Sequence, residues 1–116
     1  MDKFRVEFYV TPNGEEPARE FLDELDPKMR TKMFRTINML AKNGSDLRPP
    51  YSEKLDKHIF ELRAKVGSDI SRVLYFFFVD RRIVLTHGFI KKTQKTPPRE
   101  LERARKYYQE YMKKRS

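Results

Sequence analysis

One run of eight residues constrains this chain more than any other. Arg72 to Val79 reads Arg-Val-Leu-Tyr-Phe-Phe-Phe-Val, apolar at both alternate positions. Successive side chains of a strand point to opposite faces, so a half-buried strand alternates apolar with polar. A short run apolar on both parities is expected of a central strand covered on both faces. The segments around it carry strand patterns too. Ile59 to Lys65 alternates, with Phe60, Leu62 and Ala64 on one side and Glu61, Arg63 and Lys65 on the other. Gly67-Ser68-Asp69 supplies a turn into the central strand. Asp80-Arg81 turns the chain again into a further strand over Ile83 to Ile90. Three strands joined by short polar links predict an antiparallel meander.

The first half has a different period. Phe4 to Val10 is rich in aromatic and β-branched residues and predicts a first strand, ended by the turn Thr11-Pro12-Asn13-Gly14. Pro17 fits the first turn of a helix whose face carries Ala18, Phe21, Leu22 and Leu25. Asp26-Pro27 marks a second helix start, the carboxylate capping free amides. Met29, Met33, Ile37 and Leu40 form its apolar stripe, and Asn43-Gly44 ends it. Ser45 to Ser52, with Pro49-Pro50, reads as a loop. Two consecutive short-linked helices predict an antiparallel hairpin. Thr96-Pro97 looks like the cap and first turn of a final helix striped with Leu101, Ala104, Tyr108 and Tyr111. The expected order is β-α-α-β-β-β-α. It describes one α+β domain over residues 1–116, with helices packed on one face of an antiparallel sheet.

A chain of 116 residues builds one core, and its 15 aromatic residues supply much of the bulk. With no Cys, disulfides, thiol chemistry and thiolate metal sites are excluded; two His make a zinc or iron centre an unpromising expectation. No apolar run approaches the roughly 20 residues of a membrane span, and the first residues lack a basic-then-apolar leader. The expected protein is cytoplasmic, free of metal and cofactor, and without membrane contact.

Net charge is +9, and its distribution is uneven. Residues 1–50 hold nine Lys/Arg and nine Asp/Glu, whereas residues 51–116 hold 17 against eight, which leaves the whole excess there. A field concentrated in one half suggests a polyanionic or acidic partner. Ordinary solubilising charge is the alternative.

An ordered series of motifs resembles a known group. Lys54-Leu55, Phe60-Glu61-Leu62-Arg63, Ser71-Arg72-Val73-Leu74-Tyr75 and His87-Gly88-Phe89-Ile90-Lys91-Lys92-Thr93-Gln94-Lys95-Thr96-Pro97 look like the core of the phage-derived, HigB-like toxins. These belong to the RelE/ParE superfamily of type II toxin–antitoxin systems. The resemblance implies a RelE-like fold. It also implies one of two activities: cleavage of mRNA, usually on the ribosome and without metal, or the poisoning of DNA gyrase seen in ParE-like members. A cognate antitoxin is implied as partner, HigA-like and carrying a helix-turn-helix domain, so that operator DNA is bound only through the complex.

Metal-free RNA cleavage needs a proton acceptor for the attacking 2′-OH, positive charge on the pentavalent phosphate and a donor for the leaving 5′-oxygen. Arginine suits the second task, since it is always charged and its fork matches phosphate oxygens. Arg63 lies on the polar parity of its strand, and antiparallel pairing brings it near Arg72 on an open sheet face. Arg72 matches the family's central-strand arginine. Lys91 and Lys92 match the basic pair that RelE-like proteins place after the last strand, and Lys95 extends the patch. Lys54 and Lys57 are expected to line the same region from the loop side. Tyr75 is a candidate for stacking on a base, or else for the core.

Glu61 departs from RelE, which resembles this segment but carries lysine there. It is a candidate proton acceptor, or a carboxylate that orients arginine, with a pKa depressed by Arg63 and Arg72. His87 has a suitable pKa for a base but shares a parity with Ile83, Leu85 and Phe89, as a core histidine would. The expected catalytic group is therefore Glu61, Arg63, Arg72 and Lys91, with Lys54, Lys57, Tyr75, Lys92 and Lys95 holding RNA. The competing readings are a gyrase-directed toxin and a non-catalytic binding module or inactive phage remnant.

Overall fold

The computed structural model describes residues 3–91 and 95–115. In chain order it contains β1 (Arg5–Phe8), α1 (Pro17–Glu24), α2 (Pro27–Asn43), a single 3-10 turn at Gly44–Asp46, β2 (Ser52–Lys54), β3 (Phe60–Val66), β4 (Asp69–Phe78), β5 (Arg82–Lys91) and α3 (Pro98–Arg115). Local signals account for the helical hairpin. The Asp26 carboxylate accepts the Met29 amide at 3.1 Å, with Pro27 in the first turn, as the sequence predicts. Arg30 of α2 then reaches back and donates to the carbonyls of Leu22 (3.0 Å), Asp23 (2.6 Å) and Leu25 (2.8 Å). Those carbonyls lie at the C-terminal end of α1, where Leu22 also accepts the Leu25 amide at 3.3 Å, so one side chain helps close the first helix and ties it to the second.

The five strands form one sheet in the order β1-β5-β4-β3-β2. β3, β4 and β5 make the expected antiparallel meander. Gly67 turns β3 into β4 at a φ of +62°, and Asp80 and Arg81, at φ of +60° and +57°, turn β4 into β5. Two expectations are corrected. The sheet is mixed, because β1 pairs parallel with β5, Arg5 opposite Arg82 through Phe8 opposite Leu85. Parallel strands need a long crossover, and here the helical hairpin and three strands separate the two in sequence. A short edge strand, β2, also follows the segment read as loop, with Glu53 opposite Glu61.

The third correction concerns the layers. Helices cover both faces of the sheet. α1 and α2 pack Leu22, Met29, Met33, Ile37 and Leu40 onto Leu62, Val73, Tyr75, Ile83 and Leu85. α3 packs Ala104 and Tyr111 onto Leu74, Phe76 and Val84 of the opposite face. The central strand β4 is thus buried on both sides, which is why its sequence has no polar parity. Each fully buried Val, Leu or Phe there stabilises the fold by about 1.5–3 kcal/mol. Polar ties fix α3 laterally: Tyr111 Oη donates to Glu7 Oε1 at 2.8 Å, and Arg105 Nε to Asp56 Oδ2 at 2.6 Å.

β5 carries one irregularity. Leu74 faces His87 while Tyr75 faces Leu85, so Thr86 is an extra, bulged residue. Its hydroxyl lies 3.1 Å from the Leu74 carbonyl, within hydrogen-bonding reach at the break in the ladder. The bulge reverses the parity of the rest of β5. Ile83 and Leu85 face the helical hairpin, whereas His87 and Phe89 lie on the α3 face opposite Leu74 and Arg72. The shared parity inferred from sequence for Ile83, Leu85, His87 and Phe89 is therefore broken at residue 86.

Candidate active site

β3 and β4 bring their polar residues together on the α3 face. Arg63 and Arg72 are direct cross-strand partners. The Glu61 carboxylate lies between them, with Oε1 2.6 Å from Arg63 Nε and Oε2 3.8 Å from Arg72 Nη1. Thr96, from the segment leading into α3, donates its hydroxyl to Glu61 Oε2. From the edge strand, Glu53 Oε2 takes the outer end of Arg63 at 2.7 Å. Two carboxylates and two guanidiniums so form one charge-balanced network, and it ties β2, β3, β4 and the α3 approach together.

Depth separates the two arginines. The side chains of Arg72 and Glu61 are fully buried, and that of Arg63 is 19% exposed. The face expected to be open is covered at Arg72. Burial lowers the proton affinity of the Arg72 guanidinium, and the Glu61 charge opposes that effect. Arg72 thus pairs with Glu61 below the surface, whereas Arg63, bonded to Glu61 and Glu53, is partly exposed to solvent. Lys91, opposite Ile70 at the end of β5, falls on the same face and is partly exposed. Lys95 is exposed beside Thr96 in sequence. Lys92 lies outside the described residues.

Other expected participants lie elsewhere. Tyr75 is buried on the hairpin face, its hydroxyl 2.6 Å from Ser52 Oγ and its ring stacked on Phe60 at 5.5 Å. Burial pushes its phenol pKa up to about 12; it is core and does not meet Arg72. Lys54 faces the same way, its ammonium 5.9 Å from the Phe60 ring centre. Lys57 is exposed in the loop between β2 and β3, outside the hydrogen-bonded network.

His87 is on the α3 face but only 1% exposed. Nε2 lies 3.1 Å from Glu100 Oε1, and Nδ1 3.1 Å from Thr86 Oγ1. Burial, with a smaller contribution from the Arg103 charge, pushes its pKa down to about 3. The ring is therefore neutral near pH 7, with Nε2 facing the Glu100 carboxylate and Nδ1 beside the Thr86 hydroxyl. It is a satisfied buried histidine that links β5 to α3. Among the described residues, no group of three or more His, Asp or Glu is placed to hold a metal ion.

Three members of these networks were not anticipated. Thr96 read as a helix cap, but α3 begins at Pro98, and the hydroxyl is spent on a carboxylate 35 residues away. Glu53 lay beside a segment without a strand pattern, and Glu100 looked like an ordinary first-turn acid. None has a local signal for its role.

This geometry defines a class, a small basic α+β protein with a buried Glu–Arg pair bonded to a partly exposed arginine at one end of its sheet. Residues 20–109 match the family model described as phage-derived protein Gp49-like, and the chain belongs to that family. It is the family of HigB-like, RelE-type toxins, so a toxin–antitoxin role and an antitoxin partner follow at family level. A comparison with curated proteins gives no match. No helix among the described residues is long and apolar enough to cross a membrane.

Proposed function

We propose that this chain is a toxin that cuts mRNA on the ribosome without a metal ion, its fold being RelE-like. The observation that carries the reading is the Glu61 carboxylate bonded to Arg63 and Thr96 and paired with Arg72. A guanidinium held this way is fixed in direction at the sheet end, and Lys91 on the same face adds positive charge that the network does not balance. Preorganised charge of this kind stabilises a phosphorane more than flexible surface lysines do, because nothing need reorganise when charge develops.

In the reaction the 2′-hydroxyl gives its proton to solvent water as its oxygen bonds to the adjacent phosphorus, and the 5′-oxygen leaves and takes a proton from water, giving a 2′,3′-cyclic phosphate and a free 5′-hydroxyl. Arg63 and Lys91 bear on the phosphoryl oxygens. Glu61, committed to its donors, is a positioning residue for Arg63, and Arg72 a positioning residue for Glu61. The partner is a HigA-like helix-turn-helix antitoxin, which brings the complex to operator DNA. The site of action is the cytoplasm.

Inducible expression of wild type, Arg63→Ala and Lys91→Ala, with mapping of transcript 5′ ends, tests this. Cuts inside translated frames should appear with wild type and disappear with both variants. Growth arrest with chromosomal DNA breaks and intact transcripts would instead establish a gyrase-directed toxin.

A further inference from the structure

A second cationic surface lies away from the Glu61 network, on the α2 side of the molecule. Lys28, Lys32 and Arg35 follow one another at i, i+4 and i+7 on α2 and share one helix face. They line a cavity of about 550 Å³ with Lys65 of β3 and Gly67 of the β3–β4 turn, and no Asp or Glu contributes to it. The Lys32 ammonium donates to the Lys65 carbonyl, which pins that charge at the strand edge. No carboxylate pairs with Lys28, Arg35 or Lys65 among the described residues. Like charges at helical spacing repel, so the arrangement works against the helix unless something anionic is bound.

The surface also has a direction. β2 pairs β3 only over Phe60 to Leu62, so Ala64 to Val66 form an uncovered edge. A second cavity, of about 330 Å³, opens along that edge and shares Lys32 and Lys65 with the first. Its other walls include Tyr51, 43% exposed, and Arg63. One continuous trough therefore leads from the start of α2 to the arginine of the candidate active site. Lys28 to Arg35 span about 10 Å of helix axis, close to three nucleotides of a stacked strand.

We infer that this trough binds the sugar-phosphate backbone of the RNA strand flanking the cleaved bond, with Tyr51 stacking on a base. The inference rests on the nuclease reading for the identity of the strand. RNA is favoured over an acidic polypeptide because the trough combines a line of cations that no carboxylate pairs among the described residues with an exposed aromatic at its inner end. That pairing suits alternating phosphates and bases.

The test uses the isolated full chain and a fluorescent 2′-O-methyl RNA dodecamer, which has no attacking hydroxyl, so that binding is read apart from cleavage. Lys28→Gln/Arg35→Gln changes two exposed side chains, and an unchanged thermal midpoint confirms that its fold is intact. Its Kd should weaken by about tenfold or more, and the slope of log K against log salt should become shallower by about 1.4, near 0.7 for each lost phosphate contact. Tyr51→Ala should weaken binding by about fivefold or more. A double variant within twofold of wild type overturns the inference. So does wild type that fails to bind the dodecamer, or poly-glutamate that competes as well as RNA at equal charge. If wild type cuts no transcript while the double variant still loses dodecamer affinity, the nuclease reading fails and the trough stands. If wild type cuts while the double variant binds and cuts like it, the trough alone fails.

Discussion

Arg63 and Arg72 face one another directly across β3 and β4, a like-charged pair held together by the Glu61 carboxylate. Like charges directly opposed in a sheet are destabilising, and Glu61 offsets that for both arginines, with Glu53 adding to it at Arg63. Glu61→Ala removes the carboxylate paired with the buried Arg72 charge and should destabilise the protein by about 3–5 kcal/mol in urea unfolding. Glu61→Ala/Arg72→Met should recover much of that loss. A double variant as unstable as the single one would show that Glu61 does not serve chiefly to balance Arg72.

Activity should divide by depth. Arg63→Ala and Lys91→Ala should each lower the rate of transcript cleavage by about 10²–10³-fold, Lys91→Ala with little change in unfolding midpoint and Arg63→Ala with a lowered one because it also leaves buried Glu61 one donor short. Thr96→Val removes one donor to Glu61, so its defect should be smaller and appear mainly in kcat rather than KM. Equal rates for wild type and Lys91→Ala on translated message would remove Lys91 from the site.

The buried His87 sets an acid limit. Its folded pKa near 3 lies below the ordinary 6.5, so below pH 6.5 the unfolded chain binds the proton that the folded chain refuses. Its contribution is intact above pH 6.5 and is lost progressively as the pH falls toward about 3. The slope approaches 1.4 kcal/mol per pH unit between those limits. Denaturant titrations from pH 4 to 7 should show that slope reduced by about one proton in His87→Gln. An unchanged slope would mean that the ring is already charged in the folded protein.

Gly88 is closely covered. A Cβ there would lie 2.3 Å from the Phe21 ring and 2.8 Å from the Arg72 carbonyl oxygen. The ring can shift, but the backbone of β4 cannot do so freely. Gly88→Ala should therefore destabilise by about 1–3 kcal/mol. Because the contact is with Arg72 itself, transcript cleavage should fall as well. A variant as stable and active as wild type would show that β4 and β5 separate easily at this point.

How much of this was legible depended on how local each cause is. The meander and helical hairpin follow from alternation, turn residues and the Asp26-Pro27 cap, all read within a few positions. The Arg63–Arg72 pairing follows equally well, because a Gly67-Ser68 turn fixes the register of the strands it joins. The parallel pairing of β1 with β5, the face taken by α3 and the Thr96–Glu61 bond join residues far apart in sequence. No periodicity encodes them. The apolar parity of β4 did announce a second cover, but not that α3 supplies it. Charge was legible in the wrong sum. Residues 1–50 are neutral overall because Glu15, Glu16, Glu20, Asp23 and Glu24 lie before and on α1, while Lys28, Lys32 and Arg35 line α2. Counting by helix face, rather than by half of the chain, reveals the trough.

The extra residue at Thr86 gives β5 two reading frames in space. Upstream of it, odd-numbered residues belong to the helical hairpin; downstream, odd-numbered residues belong to α3 and the arginine network. Paired regularly, with Thr86 opposite Leu74, the same residues would put Gly88 and Ile90 on the α3 face and turn His87, Phe89 and the Lys91 ammonium toward the hairpin, whereas deletion of residue 86 would leave each on its present face. The strand could keep its composition and almost all of its hydrogen bonds and still dismantle the site. Whether Thr86 bulges or pairs is what decides which face the end of β5 serves.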